Sequence, residues 1–157
     1  MIDNSLGKKA EKQIWNWLDR PNDGYCFDRL YDRMTGFYGS KNICDFTLFK
    51  SPYMYYIESK ATWGDNFPFS MISEYQYDNL LLKSRIENVF GIVIVLFADA
   101  KRSFILNIQD IDILQKSGQK SLNIKKIDKW LIRYKEIQTI QNNRKELLDY
   151  EGEWSIE

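Results

Sequence analysis

The sequence predicts an α/β domain with a mixed, partly antiparallel central sheet flanked by helices. Three observations predict it. Leu6, Ala10, Ile14, Trp17 and Leu18 recur at the spacing of an amphipathic helix. Two stretches rich in aromatic and β-forming residues, Ile43 to Phe49 and Met54 to Lys60, flank a short turn at Ser51 and Pro52. Val89 to Phe97 is apolar on both alternating faces, as a central buried strand must be. The 157 residues, 44% hydrophobic and 15% aromatic, are enough for one core. A single domain over 1–157 is expected, with its core over about 5–110, a basic helical segment over 111–145 and an acidic tail over 146–157.

The elements follow in order. The first helix starts near Ser5 and stops at Pro21, Asn22, Asp23 and Gly24, which are turn formers. Tyr25 to Leu30 reads as a strand, followed by the polar, glycine-containing loop "YDRMTGFYGSKN". The hairpin-like pair comes next, then "TWGDNFP" as a loop. Met71 to Ile86 has helical character, with Ile72, Leu80 and Leu81 among polar neighbours. Phe104 to Ile108 is placed beside the central strand. Ile111 and Leu114, then Ile127, Leu131 and Tyr134, suggest two further helices, the last bearing Lys125, Lys126, Lys129, Arg133 and Lys135.

Composition excludes several chemistries. The chain has no His, and its two cysteines, Cys26 and Cys44, lack CxxC spacing. A structural zinc site, a thiol–imidazole nucleophile and a Ser-His-Asp triad are therefore ruled out, and free thiols in a reducing cytoplasm are expected. "MIDNSLGKKAEK" has no apolar core behind a basic start, and no run reaches the roughly 18 to 20 apolar residues of a membrane span. Net charge is zero but unevenly spread. Lys101 to Lys145 holds 11 Lys/Arg against 4 Asp/Glu, and Glu146 to Glu157 holds 5 acidic residues and no basic one. Such a basic segment can dock on phosphates; solvated helix faces with a charged tail would look the same.

Asp45, Glu58 and Lys60 are out of place in apolar strands. Glu58 and Lys60 share one strand face, and Asp45 lies on the neighbouring strand, where it can face them. Two converging carboxylates repel unless a cation lies between them, and oxygen donors without His or Cys suit Mg²⁺ or Mn²⁺. The lysine then lies beside the metal and its water. A salt-bridged, solvent-facing patch on an edge hairpin is the other reading of these three residues.

The series Glu11, Asp45, Glu58 and Lys60 of "IESK", followed by "KATWGDNFPFSMISEYQYDNLL", resembles the PD-(D/E)xK nuclease superfamily and, within it, the RecU-type Holliday junction resolvases. In that family the Glu/Asp-x-Lys strand runs into a Lys-x-Thr loop, then an "FP" element, then a helix bearing Gln. Lys60, Thr62, Phe67, Pro68, Ile72 and Gln76 match this order, and the resemblance spans Leu6 to Ile108. Cys44 stands where the superfamily name has Pro, and the protruding stalk of the family would have to fit into residues 31 to 42.

The resemblance implies a restriction-endonuclease-like core and a Mg²⁺-dependent endodeoxyribonuclease, with Mn²⁺ able to substitute. It implies branched double-stranded DNA as substrate and a homodimer. Asp45, Glu58 and the Ser59 carbonyl would hold the metal, joined by Glu11, while Lys60 would contact phosphate and water and Gln76 would complete the site. Arg29, Arg33, Lys41 and Thr62 are the expected DNA contacts near the site; Lys125, Lys126, Lys129 and Arg133 are those in the basic segment. Trp63 and Phe67 are candidates for stacking on an unpaired base. A nuclease acting on linear, flapped or nicked DNA, and a non-catalytic DNA-binding module of recombination, share the same residues.

Overall fold

The computed structural model describes residues 4–19, 24–31, 41–129 and 134–138. Its first helix, α1 (Asn4–Leu18), is followed by β1 (Cys26–Arg29), β2 (Phe46–Lys50) and β3 (Tyr53–Thr62). A three-residue strand, β4 (Asn66–Pro68), and a 3₁₀ turn (Phe69–Met71) lead into α2 (Glu74–Lys83). Then come β5 (Val89–Phe97), β6 (Arg102–Asn107) and α3 (Ile108–Lys116). The described chain ends with β7 (Ser121–Asn123), a 3₁₀ stretch (Ile124–Lys129) and β8 (Tyr134–Gln138).

Six strands form one mixed sheet in the order β1-β2-β3-β5-β6-β8. Among the described strands of this sheet, β3 and β5 alone run parallel, and the other neighbouring pairs are antiparallel. A parallel pair needs a long crossover, and α2 supplies it. On one face α1 lays Ile14, Trp17 and Leu18 on Phe46, Leu48, Tyr55, Ile57, Ile92, Ile94 and Ile105. On the other, Leu80 of α2 and Ile108, Ile111 and Leu114 of α3 pack with Val93, Val95, Phe97, Phe104 and Leu106. Alternate residues of β5 thus enter two different cores, so apolar residues fill both faces of that strand. Among the described residues no helix is long and apolar enough to cross a membrane.

Helix ends follow local chemistry. Ser73 caps α2 by accepting the Gln76 N–H at 3.2 Å, so the helix begins at Glu74 and not at Met71 as expected. Asn107 caps α3 by accepting the Gln109 N–H at 2.9 Å. The two helices are tied together by Tyr77, whose hydroxyl donates to Asp112, and Lys116 bonds the same carboxylate at 2.7 Å.

Two expectations are corrected. Part of the "TWGDNFP" loop is strand β4, because Asn66 to Pro68 pairs with Ser121 to Asn123, a partner too distant in sequence to be read locally. The helix expected over the basic end of 111–145 does not form: Lys125, Lys126 and Lys129 lie in the 3₁₀ stretch, and Tyr134–Gln138 is a strand antiparallel to β6. The open edge of β6 offers a row of backbone partners, and ladder pairing there overrides the helical spacing of Ile127, Leu131 and Tyr134. The acidic tail over 146–157 lies outside the described residues.

Gly91 sets how closely α2 approaches β5. A Cβ at this position would lie 2.7 Å from the Leu80 carbonyl oxygen and 3.0 Å from Ile108 Cγ2. Since backbone and a core side chain must both move, Gly91→Ala is expected to destabilise the protein by about 1–3 kcal/mol, read as a lower urea midpoint with an unchanged slope.

Candidate active site

The site forms where β3 outruns β2. Antiparallel pairing runs from Lys50↔Tyr53 to Phe46↔Ile57 and stops, while β3 continues to Thr62 against β5. One more step of the register would set Asp45 opposite Glu58. At that point the backbone still bonds, Asp45 N–H to the Ile57 carbonyl at 3.0 Å, but the next ladder position is filled by a side chain. Asp45 Oδ2 accepts the Ser59 N–H at 2.8 Å. The Ser59 peptide therefore faces away from β5, and by strand geometry its carbonyl points to the same open side. The expected strand from Ile43 begins at Phe46 for this reason, with bends at Ile43 and Asp45 before it.

Glu58 is the most unusual group in the chain. It is 2% exposed, and one oxygen, Oε2, is buried without a hydrogen-bond partner. Burial, and then the neighbouring charge of Asp45, push its carboxyl up to about 8. Two groups oppose that rise through the other oxygen: Lys60 Nζ is 3.1 Å from Oε1, and Gln76 Nε2 donates to it at 3.0 Å.

Gln76 is held from two sides. Its Oε1 accepts the Ser73 N–H at 3.4 Å and its backbone N–H bonds the Ser73 hydroxyl, a reciprocal capping box. The cap of α2 thus aims the amide that steadies Glu58. Cys44 is a neutral neighbour. Its thiol donates to the Phe46 carbonyl at 3.2 Å, and burial, with Glu58 adding to it, pushes the thiol up to about 12.

Asp45, Glu58, Ser59, Lys60, Thr62, Trp63, Gln76 and Glu11 line one cleft of roughly 670 Å³, completed by Leu6, Gly7, Lys8, Ala61 and Met71. The structure therefore brings together Asp45, Glu58, Ser59, Lys60, Gln76, Glu11, Thr62 and Trp63, while Arg29, Lys41, Lys125 and Lys126 do not line the cleft. Glu11, however, is not a third member of the carboxylate pair: its Oε2 bonds Arg29 Nη2 at 2.7 Å, and no group of three His, Cys, Asp or Glu converges among the described residues. The same ion pair engages Arg29, which also lies 5.1 Å over the Tyr31 ring.

Thr62 turns its hydroxyl to the Asn66 carbonyl at 3.0 Å, a loop-closing bond. Phe67 is fully buried in the core, so it has no face for a base. Trp63 is 58% exposed. Lys41 and Lys126 are exposed, and Lys125 pairs with Asp65 at 3.1 Å. Lys129 closes the 3₁₀ stretch, while Arg33 and Arg133 lie outside the described residues. Lys8 and Met71 were missed by sequence reasoning. Lys8 carried a signal, since it stands three residues before Glu11 and so on the same side of α1; Met71 carried none.

The donors fit a hard divalent cation. An orphaned buried carboxylate oxygen, a second carboxylate beside it and a carbonyl on the open side are oxygen ligands, and the nearby sulfur stays protonated. Zinc chemistry has no ligand set here.

Two outcomes follow from this geometry. In metal-free buffer Glu58 keeps its proton in the folded protein over a range where the unfolded chain has lost it, so stability should fall as pH rises from about 4.5 to about 8. Glu58→Gln should flatten that slope in urea unfolding and leave the variant more stable than wild type at pH 8. Gln76→Ala should cost about 1 kcal/mol, and a double-mutant cycle with Glu58→Gln should show coupling of about 0.5 kcal/mol or more.

Comparison with known proteins agrees with this architecture. Sixteen chains of solved structures match. Among them is Hjc of Archaeoglobus fulgidus, described as a Holliday junction resolvase from an archaeal hyperthermophile, with a TM-score of 0.50 and 14% identity over 82% of this chain and 94% of that one. That likeness shows the restriction-endonuclease-like fold. No curated protein sequence matches. The family described as recombination protein U matches residues 28–152, from β1 through the entire sheet, including Asp45, Glu58, Lys60 and Gln76. The chain belongs to the recombination protein U family.

Proposed function

We propose that the chain is a Mg²⁺-dependent, structure-selective endodeoxyribonuclease that resolves four-way DNA junctions in recombination. The observation that carries this reading is the buried Glu58 carboxyl, one oxygen unpartnered and its proton held on partly by the nearby charge of Asp45, in a cleft that also holds Asp45, Lys60 and Gln76. Membership of the recombination protein U family supports the substrate class.

Asp45, Glu58 and the Ser59 carbonyl would hold the cation, with Mn²⁺ able to replace Mg²⁺. When bound, such an ion supplies Lewis-acid polarisation of the phosphate and lowers the pKa of water. Everything else is the work of side chains. Asp45 is positioned by the Ser59 N–H, which donates to its Oδ2 and fixes the carboxylate at the mouth of the cleft. Gln76 is a neutral donor that orients Glu58 without adding charge. Lys60 brings a cation into the cleft, where it holds a phosphate oxygen and stabilises the charge that gathers as water attacks phosphorus and the P–O bond on the far side breaks. Lys8 and Lys41 add sequence-independent attraction for the DNA backbone. Glu11, released from Arg29, would be the further carboxylate at the metal's edge. Two symmetric cuts need two sites, and a two-fold homodimer supplies them.

The test is cleavage of a labelled synthetic four-way junction and a linear duplex of the same sequence in Mg²⁺. Paired symmetric nicks in the junction alone are expected. Asp45→Asn and Glu58→Gln should abolish them, and Lys60→Ala should slow them on the order of 10²–10³-fold. Equal cutting of both substrates would overturn junction selectivity, and unchanged cutting by Asp45→Asn would overturn the site.

A further inference from the structure

We propose that Trp63 is the base-stacking platform of this cleft: it receives an unstacked nucleobase next to the phosphate held at Lys60, and so selects DNA whose stack is already broken. The inference rests on the nuclease reading above and assigns the origin of structure selectivity within the site itself.

The indole lines the cleft with Asp45, Glu58 and Lys60 yet is 58% exposed, and Met71, 38% exposed, lines the same cleft. Phe67, four residues on, is completely buried, so the same segment places one aromatic in the core and leaves the other outside it. Trp63 is not outside because its loop is loose. Ala98 N–H bonds the Thr62 carbonyl at 2.9 Å, the Gly64 N–H bonds Asp99 Oδ2 at 2.6 Å, and the Ile124 N–H bonds the Asp65 carbonyl at 2.8 Å. Asn123 Nδ2 reaches Asn66 Oδ1 at 2.9 Å. Gly64, at φ +75°, takes the left-handed turn that lets the loop reverse directly after the tryptophan. A large apolar surface held in water on a pinned loop is already ordered for a partner and loses little entropy on binding one.

The chemistry of the cleft names that partner. Lys60 and Lys8 offer charge to a phosphate, and the indole beside them offers a flat face to the base attached to it. In intact duplex both faces of every base are covered by its neighbours, so stacking on Trp63 first requires a step to be opened. At a branch point that opening has already occurred. Trp63 should therefore strengthen binding to junctions and leave duplex binding nearly untouched, whereas a lysine contact to phosphate affects both alike.

The experiment compares the full chain with Trp63→Ala and Trp63→Phe. A four-way junction and a linear duplex of the same sequence each carry 2-aminopurine beside the exchange point. Binding is measured in EDTA by anisotropy and by quenching of the probe, and a separate arm adds Mg²⁺ to the wild type and measures cleavage. Trp63→Ala should weaken junction binding on the order of 10-fold and abolish the quench, with duplex binding changed less than about twofold; Trp63→Phe should keep most of both. Equal weakening on both substrates, or undiminished junction binding by Trp63→Ala, overturns the stacking platform even if the wild type cuts. A junction preference that depends on Trp63 in a protein that cuts nothing upholds the platform and overturns the nuclease.

Discussion

Burial of the Glu58 carboxyl, next to a second one on Asp45, is the constraint to which the rest of the domain conforms. Asp45 and Glu58 meet because the β2–β3 ladder ends at Phe46↔Ile57, and Asp45, one residue before β2, turns its side chain to the Ser59 N–H instead of pairing on. A buried carboxylate in that position is costly, and the cost is reduced locally by Lys60 and Gln76 on one oxygen only. The other oxygen is left without a partner in the protein. Burial of that carboxyl, with Asp45 beside it, favours its protonated form up to about 8.

The surrounding architecture keeps that imbalance from relaxing. β5 holds β3 along its whole length, and apolar side chains on both faces of β5 anchor it in two cores. The first turns of α1 cover the outer half of β3 through Leu6, Ala10 and Ala61. On the opposite face the N-terminus of α2 is fixed by the Ser73 capping box, which leaves the Gln76 amide no freedom to swing away from Glu58. Secondary-structure capping and site geometry are here one set of hydrogen bonds, which ties local helix stability to the position of a functional side chain.

Much of this was legible in the sequence because it is written locally. The stripe from Leu6 to Leu18, the aromatic pair of strands and the continuous apolar run of β5 each carry their own period, and all three formed, the first strand of the pair beginning at Phe46 and not at Ile43. Asp45, Glu58, Lys60 and Gln76 were legible because charged or amide groups stood where apolar ones belong, and because their order matched a known family. What failed depended on distant partners. β4 exists only because residues 121–123 return to it, and β8 exists only because β6 has an open edge. The ion pair of Glu11 with Arg29 is also non-local: helix spacing placed Glu11 at the cleft, which it lines, but the spacing could not name a strand arginine as its partner.

The parallel pairing of β3 with β5 has a consequence for the order in which a working protein comes into being. Every group of the carboxylate site lies before residue 77, so the whole set is synthesised before β5. Until that strand arrives, β3 lacks its inner neighbour, α2 has no surface to pack on, and Gln76 and Glu58 have no fixed relation. Contacts of this range close late in folding. A nascent or truncated chain that lacks β5 therefore carries the chemical groups of the cleft without their geometry.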